Sequence, residues 1–224
     1  MELNYIIPKF YRKKRPLRNG GFDDMKEPNR IIVDGKVKKC PVYERWHHML
    51  RRSTPDHWLK HPEYEGVTVC EEWKLRSNFH NWMISQYRWW DFHLDKDLLD
   101  PSNKQYAPDK CVFVPQYINS LLTDRINYRG DLPLGVTYEK DRQKYMAQCN
   151  VNGVKSKRLG NFKTPEEAHA AYQIAKASEV FRVAELALSS GDIDHRVYES
   201  LIMRAEKLLD DHKNGVITLS IHHY

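Results

Sequence analysis

Gly135-Val136-Thr137, Lys144-Tyr145-Met146-Ala147-Gln148, Asn152-Gly153-Val154 and Leu159-Gly160-Asn161-Phe162-Lys163-Thr164-Pro165-Glu166-Glu167-Ala168-His169-Ala170-Ala171-Tyr172 follow one another within a single stretch of the chain. Two alternating runs meet at Asn152-Gly153, the strongest short-range hairpin signal, because both residues tolerate the positive φ that a two-residue turn demands. Before the turn, Tyr145, Ala147, Cys149 and Val151 alternate with Lys144, Met146, Gln148 and Asn150. Period two therefore predicts one apolar face toward a helix and one largely polar face outward. After the turn, Lys155, Lys157 and Arg158 bring basic groups to the same small sheet. Thr164 as N-cap, Pro165 at the first helical position and Glu167 three residues after the cap announce a helix with a capping box. Ala168, Ala171, Tyr172 and Ala175 then fall at helical spacing, and small alanines let the helix lie close to the sheet. The opposite sheet face, with Arg142, Lys144, Gln148, Asn150, Lys155, Lys157 and Arg158, is left to meet phosphates and base edges in a major groove.

That order of elements resembles the plant ethylene-response-factor (apetala-two type) DNA-binding domain, which is also found appended to phage homing nucleases. The resemblance implies a three-stranded antiparallel sheet packed on one helix, with double-stranded DNA as its partner.

Composition agrees with a polyanionic partner without demanding one. The formal charge of 224 residues is +6 and the pI about 9.0. The charge is unevenly placed: residues 1–40 hold 11 Lys and Arg against 5 Asp and Glu, and residues 135–176 hold 8 against 4, so the remainder is slightly acidic. Two positive regions flanking an acidic centre suit two separate contacts with a polyanion, although a charged face for solubility also accounts for the first. Four cysteines, no apolar N-terminal stretch and no run long enough to span a bilayer point to a soluble, reducing, cytoplasmic setting, that of the host cell if the chain is phage-encoded.

Punctuation divides the chain. Residues 1–39, with Arg12-Lys13-Lys14-Arg15 and the breakers Pro16, Gly20, Gly21 and Pro28, read as a basic arm with little core. Residues 40–127 are dense in aromatics, with all of Trp46, Trp58, Trp73, Trp82, Trp89 and Trp90, enough for a compact core. Tyr128 to Pro133 reads as a linker, and residues 134–190 form the sheet-and-helix domain. In residues 191–224, Asp192 or Asp194 caps a second helix with Val197, Leu201, Ala205 and Leu208 on one stripe, giving a helical hairpin and a short tail. The fold class is α+β.

The aromatic region carries its own motifs: Cys40-Pro41-Val42-Tyr43-Glu44-Arg45-Trp46-His47-His48-Met49-Leu50, then Val69-Cys70-Glu71-Glu72-Trp73, Phe79-His80-Asn81-Trp82-Met83 and His93-Leu94-Asp95-Lys96-Asp97, followed by Asn103 to Pro115. These resemble the phage HNH-type (His-Me finger) homing endonuclease family. The resemblance implies a ββα metal finger in which Asp95 lies on the first strand, Lys110 to Val114 supply the second and Ile118 to Leu122 begin the helix. The implied activity is divalent-metal-dependent hydrolysis of phosphodiester bonds, with a histidine as base.

Here the sequence departs from the family, which has Asp-His where this chain has Asp95-Lys96. A lysine of ordinary pKa near 10.4 is protonated at neutral pH and is no ready base, though its cation can neutralise a phosphate. His93 shares a strand face with Asp95 and Asp97 by period two. One imidazole and two carboxylates suit magnesium or manganese, which prefer hard ligands. The expected catalytic set is thus His93, Asp95, Lys96 and Asp97, and the expected metal ligands are Asp95, Asp97 and Asn103. The alternative is a capped turn beside a surface histidine, in a chain that binds DNA without cutting it. A phage protein that grips a host protein through the nuclease-like scaffold is a further alternative, and a homodimer is left open. Cys40, Cys70 and Cys111 lack the CxxC spacing of a zinc site and read as buried thiols.

Overall fold

The computed structural model describes residues 16–17, 19–123 and 130–222. The run Arg12-Lys13-Lys14-Arg15 and the start of the expected linker, Tyr128-Arg129, lie outside them. Helices and small sheets alternate along the chain, so the α+β class holds. The chain divides into two compact units, one ending at Phe113 and the other beginning at Val114.

The first unit opens with the antiparallel strands β1 (Arg30–Val33) and β2 (Lys36–Lys39). Asp34 and Gly35 join them with φ of 51° and 71°, the left-handed pair that keeps a two-residue turn in step with strand twist. Helix α1 (Pro41–Arg52) follows, and its Val42, Trp46, Met49 and Leu50 form one buried stripe. Three short elements, α2 (Pro55–Trp58), the 3-10 turn Pro62–Tyr64 and β3 (Thr68–Val69), lead to α3 (Glu71–Lys74) and α4 (Arg76–Ser85). Then come β4 (His93–Asp95), β5 (Gln105–Tyr106) and β6 (Val112–Val114); β3 and β5 form a parallel pair, and β4 and β6 form a separate two-stranded sheet. Trp46, Trp73, Phe79 and Met83 are buried at the centre, and the Trp46 indole donates to the Trp73 carbonyl at 2.8 Å. The aromatic density read from the sequence is thus a core.

Residues 19–39 are more than an arm. Ile31 is buried in that core with Val33 packed against it, and a Cβ on Gly21 would lie 2.3 Å from Leu50 and 3.0 Å from Trp46. Asp23 accepts from the buried Arg76 guanidinium at 3.2 Å, and Asp24 accepts from the Ser77 N–H at 2.9 Å. Local charge hides a hairpin that Asp34-Gly35 between β-branched residues announces.

The second unit begins with α5 (Gln116–Leu121), whose Leu121 carbonyl accepts from Lys176 at 2.5 Å while Tyr117 donates to Asp192 at 2.9 Å. The expected domain 40–127 is therefore split, because this helix bonds to elements further along the chain. Strands β7 (Val136–Glu139), β8 (Lys144–Val151) and β9 (Val154–Phe162) form an antiparallel sheet in that order. Val151 pairs with Val154 around Asn152 and Gly153, at φ of 52° and 77°. Val136, Ala147 and Ala168 form the core between sheet and helix, with Tyr145, Leu159, Phe162 and Ala171 against it. Gly135, at φ 73°, leaves room for the Tyr172 ring, which a Cβ there would approach to 2.0 Å.

The long helix runs Pro165–Ser189. Thr164 accepts from the Glu167 N–H, while the Glu167 carboxylate takes the N–H of Lys163 instead of the cap residue's own. Asp194 caps the C-terminal helix, His195–Lys213, by accepting from Val197 at 3.0 Å. Val197, Leu201, Ala205 and Leu208 are its buried stripe, as the spacing predicts. Beyond it, the Thr218 N–H donates to His169 Nε2 at 3.0 Å, so the proton of that imidazole sits on Nδ1 and points to the Leu134 carbonyl. No helix among the described residues is long and apolar enough to cross a membrane.

Candidate nucleic-acid interface

The sheet's outward face follows from register, since directly opposed residues share a face. Thr137 and Asn161 flank Met146, Glu139 lies opposite Lys144, and Gln148 lies opposite Arg158. A hairpin continued without irregularity from Val151 and Val154 would set Gln148 against Lys157. Instead the register slips twice, between Cys149 and Val151 and again between Ala147 and Gln148, so that Lys157 falls opposite the helix-facing Cys149. Lys157 thus leaves the outer row where the sequence reading puts it, although its side chain is exposed. The bulges are the physical reason: each adds a residue to β9 and turns the following side chains to the other face.

The polar residues of the outer face divide into two kinds. Arg158 donates to Glu139 at 2.6 Å and through Nε to Asn161 at 2.9 Å, and Asn161 donates to the same Glu139 oxygen at 2.8 Å. Those bonds, the one from Asn161 foremost, hold the Glu139 carboxyl below its usual range. Gln148 donates to Thr137 at 3.1 Å, and Asn150 accepts from the N–H of Ser156, the bulge residue at φ 50°. Arg142 stands 3.9 Å from Glu139. By contrast the side chains of Lys144, Lys155 and Lys157 make no hydrogen bond or ion pair among the described residues. Arg158 and Gln148 are held in place to offer planar, directional groups, while the lysines are mobile point charges. Glu139 and Asn161 were missed in the sequence because the bulges that bring them beside Arg158 leave no strong mark there.

The region around β4 is arranged differently. Asp95 Oδ1 accepts from the backbone N–H of Asp97 at 3.0 Å and of Leu98 at 2.7 Å. Lys96 is buried, at 7 % exposure, and its ammonium donates to the Asp97 carboxylate. Asn103 donates to the Lys96 carbonyl at 2.6 Å and to that of Gln105 at 2.9 Å, and its own oxygen accepts from the Gln105 N–H at 3.1 Å. His93 is exposed. Asp95 and Asp97 bring carboxylate oxygens within 4.8 Å of each other. Burial, then the charge of Asp97 and the bond to it, push the Asp95 carboxyl up to about 6.

Of the expected ligands, then, Asp95 and Asp97 come together, whereas both side-chain polar atoms of Asn103 are engaged in closing the loop. Two carboxylates are a common protein contribution to a magnesium site. The Lys96 ammonium on Asp97 opposes a second cation there.

The remaining candidates are packing. Cys40 and Cys111 are buried and Cys70 half-buried, all as free thiols that do not gather as a ligand group among the described residues. Burial pushes the Cys111 thiol up to about 12. His47 and His48 are both half-buried on α1. Trp58 donates to the Arg52 carbonyl at 2.8 Å, and Trp89 is buried. Compared with protein-family models, curated proteins and solved structures, the chain matches none.

Proposed function

We propose that the protein binds double-stranded DNA through the exposed face of the β7-β8-β9 sheet. The observation that carries this reading is the outer row itself: Arg158 and Gln148 are fixed by neighbouring side chains, and on the same small sheet Lys144 and Lys155 are unpaired among the described residues. A rigid guanidinium and amide suit base edges, and lysines suit phosphates. The test is fluorescence anisotropy of a labelled duplex with wild type and with a Lys144→Gln/Lys155→Gln variant. The expected result is weaker binding by the variant at low salt; equal affinities contradict the reading.

Cleavage of the bound DNA is a second reading, favoured by the proximity of Asp95 and Asp97. If the chain is a phage-type endonuclease, those two carboxylates would hold magnesium or manganese, and the ion would stabilise the departing oxygen. In that reading His93, exposed and on the same strand as Asp95 although outside the group that Asp95 and Asp97 form, would take a proton from water, the buried Lys96 being paired with Asp97. A nicking assay with either ion on wild type, His93→Ala and Asp95→Ala decides it. Nicking by wild type alone, with DNA binding unchanged in all three, supports hydrolysis. No nicking by any of them leaves a DNA-binding regulator on a nuclease-like scaffold.

A further inference from the structure

The β1-β2 hairpin stands out from the first unit's core by one side only. Ile31 and Val33 face inward, and every residue of β2 is exposed. The register sets Arg30 against Lys39 and Ile32 against Val37, so these four share the outward pleat. Ile32 is 47 % and Val37 59 % exposed, an apolar pair in solvent between two cations. Lys36 and Lys38 lie on the other pleat of the same edge strand, and Lys39 stands 3.9 Å from Glu44. Asp34 is the one acidic residue among residues 30–39.

Lysines along an edge strand also guard against strand-to-strand aggregation. That accounts for Lys36, Lys38 and Lys39. The sheet has two strands and so two edges, and the same protection covers Arg30; it leaves unexplained the exposed Ile32 and Val37, which edge protection would replace with polar residues.

We infer that this hairpin is a second contact for duplex DNA. A two-stranded ribbon, with strands about 4.8 Å apart, is of a size the major groove admits. The outward pleat lies toward the groove floor, where Ile32 and Val37 meet apolar base edges such as thymine methyl groups. Arg30 and Lys39 flank them, and the long stems of Lys36 and Lys38 carry ammonium groups round to the phosphates. The occupant is a nucleic acid because the surroundings of the apolar pair are cationic, and a duplex because a ribbon face fits a groove. The inference rests on the duplex-binding reading above, with a different set of residues.

Three variants of the full chain separate the two surfaces: a ribbon variant, Arg30→Gln/Lys36→Gln/Lys38→Gln; the sheet variant, Lys144→Gln/Lys155→Gln; and an apolar variant, Ile32→Ser/Val37→Ser. Each is measured on duplex DNA across a salt series, with circular dichroism as the check on folding. The ribbon variant should bind about tenfold or more weakly at low salt, its log–log salt slope shallower by roughly 0.9 for each phosphate that is no longer neutralised. The apolar variant should bind several-fold more weakly with the slope unchanged, since no charge is removed. A ribbon variant matching wild type in affinity and slope, while the sheet variant is weakened, overturns the inference and leaves the sheet reading standing. The converse pattern removes the sheet and keeps the ribbon. A greater effect on single strands or on double-stranded RNA than on duplex DNA overturns the choice of duplex. An Arg30→Lys/Lys36→Arg/Lys38→Arg variant that keeps the charges should bind like wild type; its failure to do so counts against recognition through charge.

Discussion

The outer sheet face and the loop around β4 hold similar numbers of ionisable and amide side chains, yet treat them in opposite ways. On the sheet, Lys144 and Lys155 reach into solvent without partners among the described residues, and Arg158 is held by Glu139 and Asn161 beside it. Around β4, Asn103 closes a loop with three hydrogen bonds, Asp95 caps two backbone N–H groups, and Lys96 is buried on Asp97. Polar groups satisfied inside a fold contribute mainly stability, whereas groups left unsatisfied at the surface are available to a partner.

That contrast can be broken first at Asn103. Asn103→Ala removes three hydrogen bonds from the β4 loop and should cost about 2 to 4 kcal/mol. All six tryptophans lie in the first unit, so denaturation followed by their fluorescence reports this unit alone. A destabilisation below about 0.5 kcal/mol would mean that the loop does not depend on these bonds.

Asp95 sharpens the contrast through pH. Its folded-state pKa of about 6 lies above its ordinary 3.8, so between those values the folded chain keeps a proton that the unfolded chain has released. Its contribution therefore makes stability fall as pH rises from about 3.8 to about 6, and the full penalty persists above that. Asp95→Asn, whose amide oxygen can still accept the two N–H bonds, should flatten this part of the profile and gain about 1 to 3 kcal/mol relative to wild type at pH 7. Parallel profiles for the two proteins would remove the raised Asp95 carboxyl from the account.

The sheet residues should respond in the opposite sense. Lys144→Gln/Lys155→Gln should leave stability within about 0.5 kcal/mol of wild type and weaken duplex binding about tenfold at low salt. The smallest effect is expected at Arg158. Arg158→Lys keeps the charge but loses the planar fork, so it should reduce discrimination between duplex sequences by about 1 kcal/mol while average affinity changes little. A variant that bound all sequences uniformly more weakly would make Arg158 a phosphate ligand.

Much of the second unit was legible because its signals are local. Asn152-Gly153 fixes a two-residue turn, Thr164-Pro165 starts a helix, and Val197, Leu201, Ala205 and Leu208 repeat at helical spacing. What could not be read was the pair of register slips in β9. They move Lys157 off the outer row and bring Arg158 and Asn161, three residues apart on β9, beside Glu139 of β7. In the first unit the Asp34-Gly35 hairpin was open to the same reasoning as the Asn-Gly turn, but the surrounding charge suggested an arm. Asp95 and Asn103 bond to backbone groups of the loop, and Lys96 to the carboxylate of its neighbour Asp97; residue identity alone does not specify which of these atoms a side chain will reach.

The central claim is that the exposed cationic face of the sheet meets the phosphates of double-stranded DNA. The most direct measurement is the affinity of the full chain for a duplex over a range of monovalent salt. Log affinity should fall linearly with log salt at a slope of about −3 or steeper, each neutralised phosphate contributing roughly −0.9. A flat dependence, or no binding in dilute buffer, would contradict it.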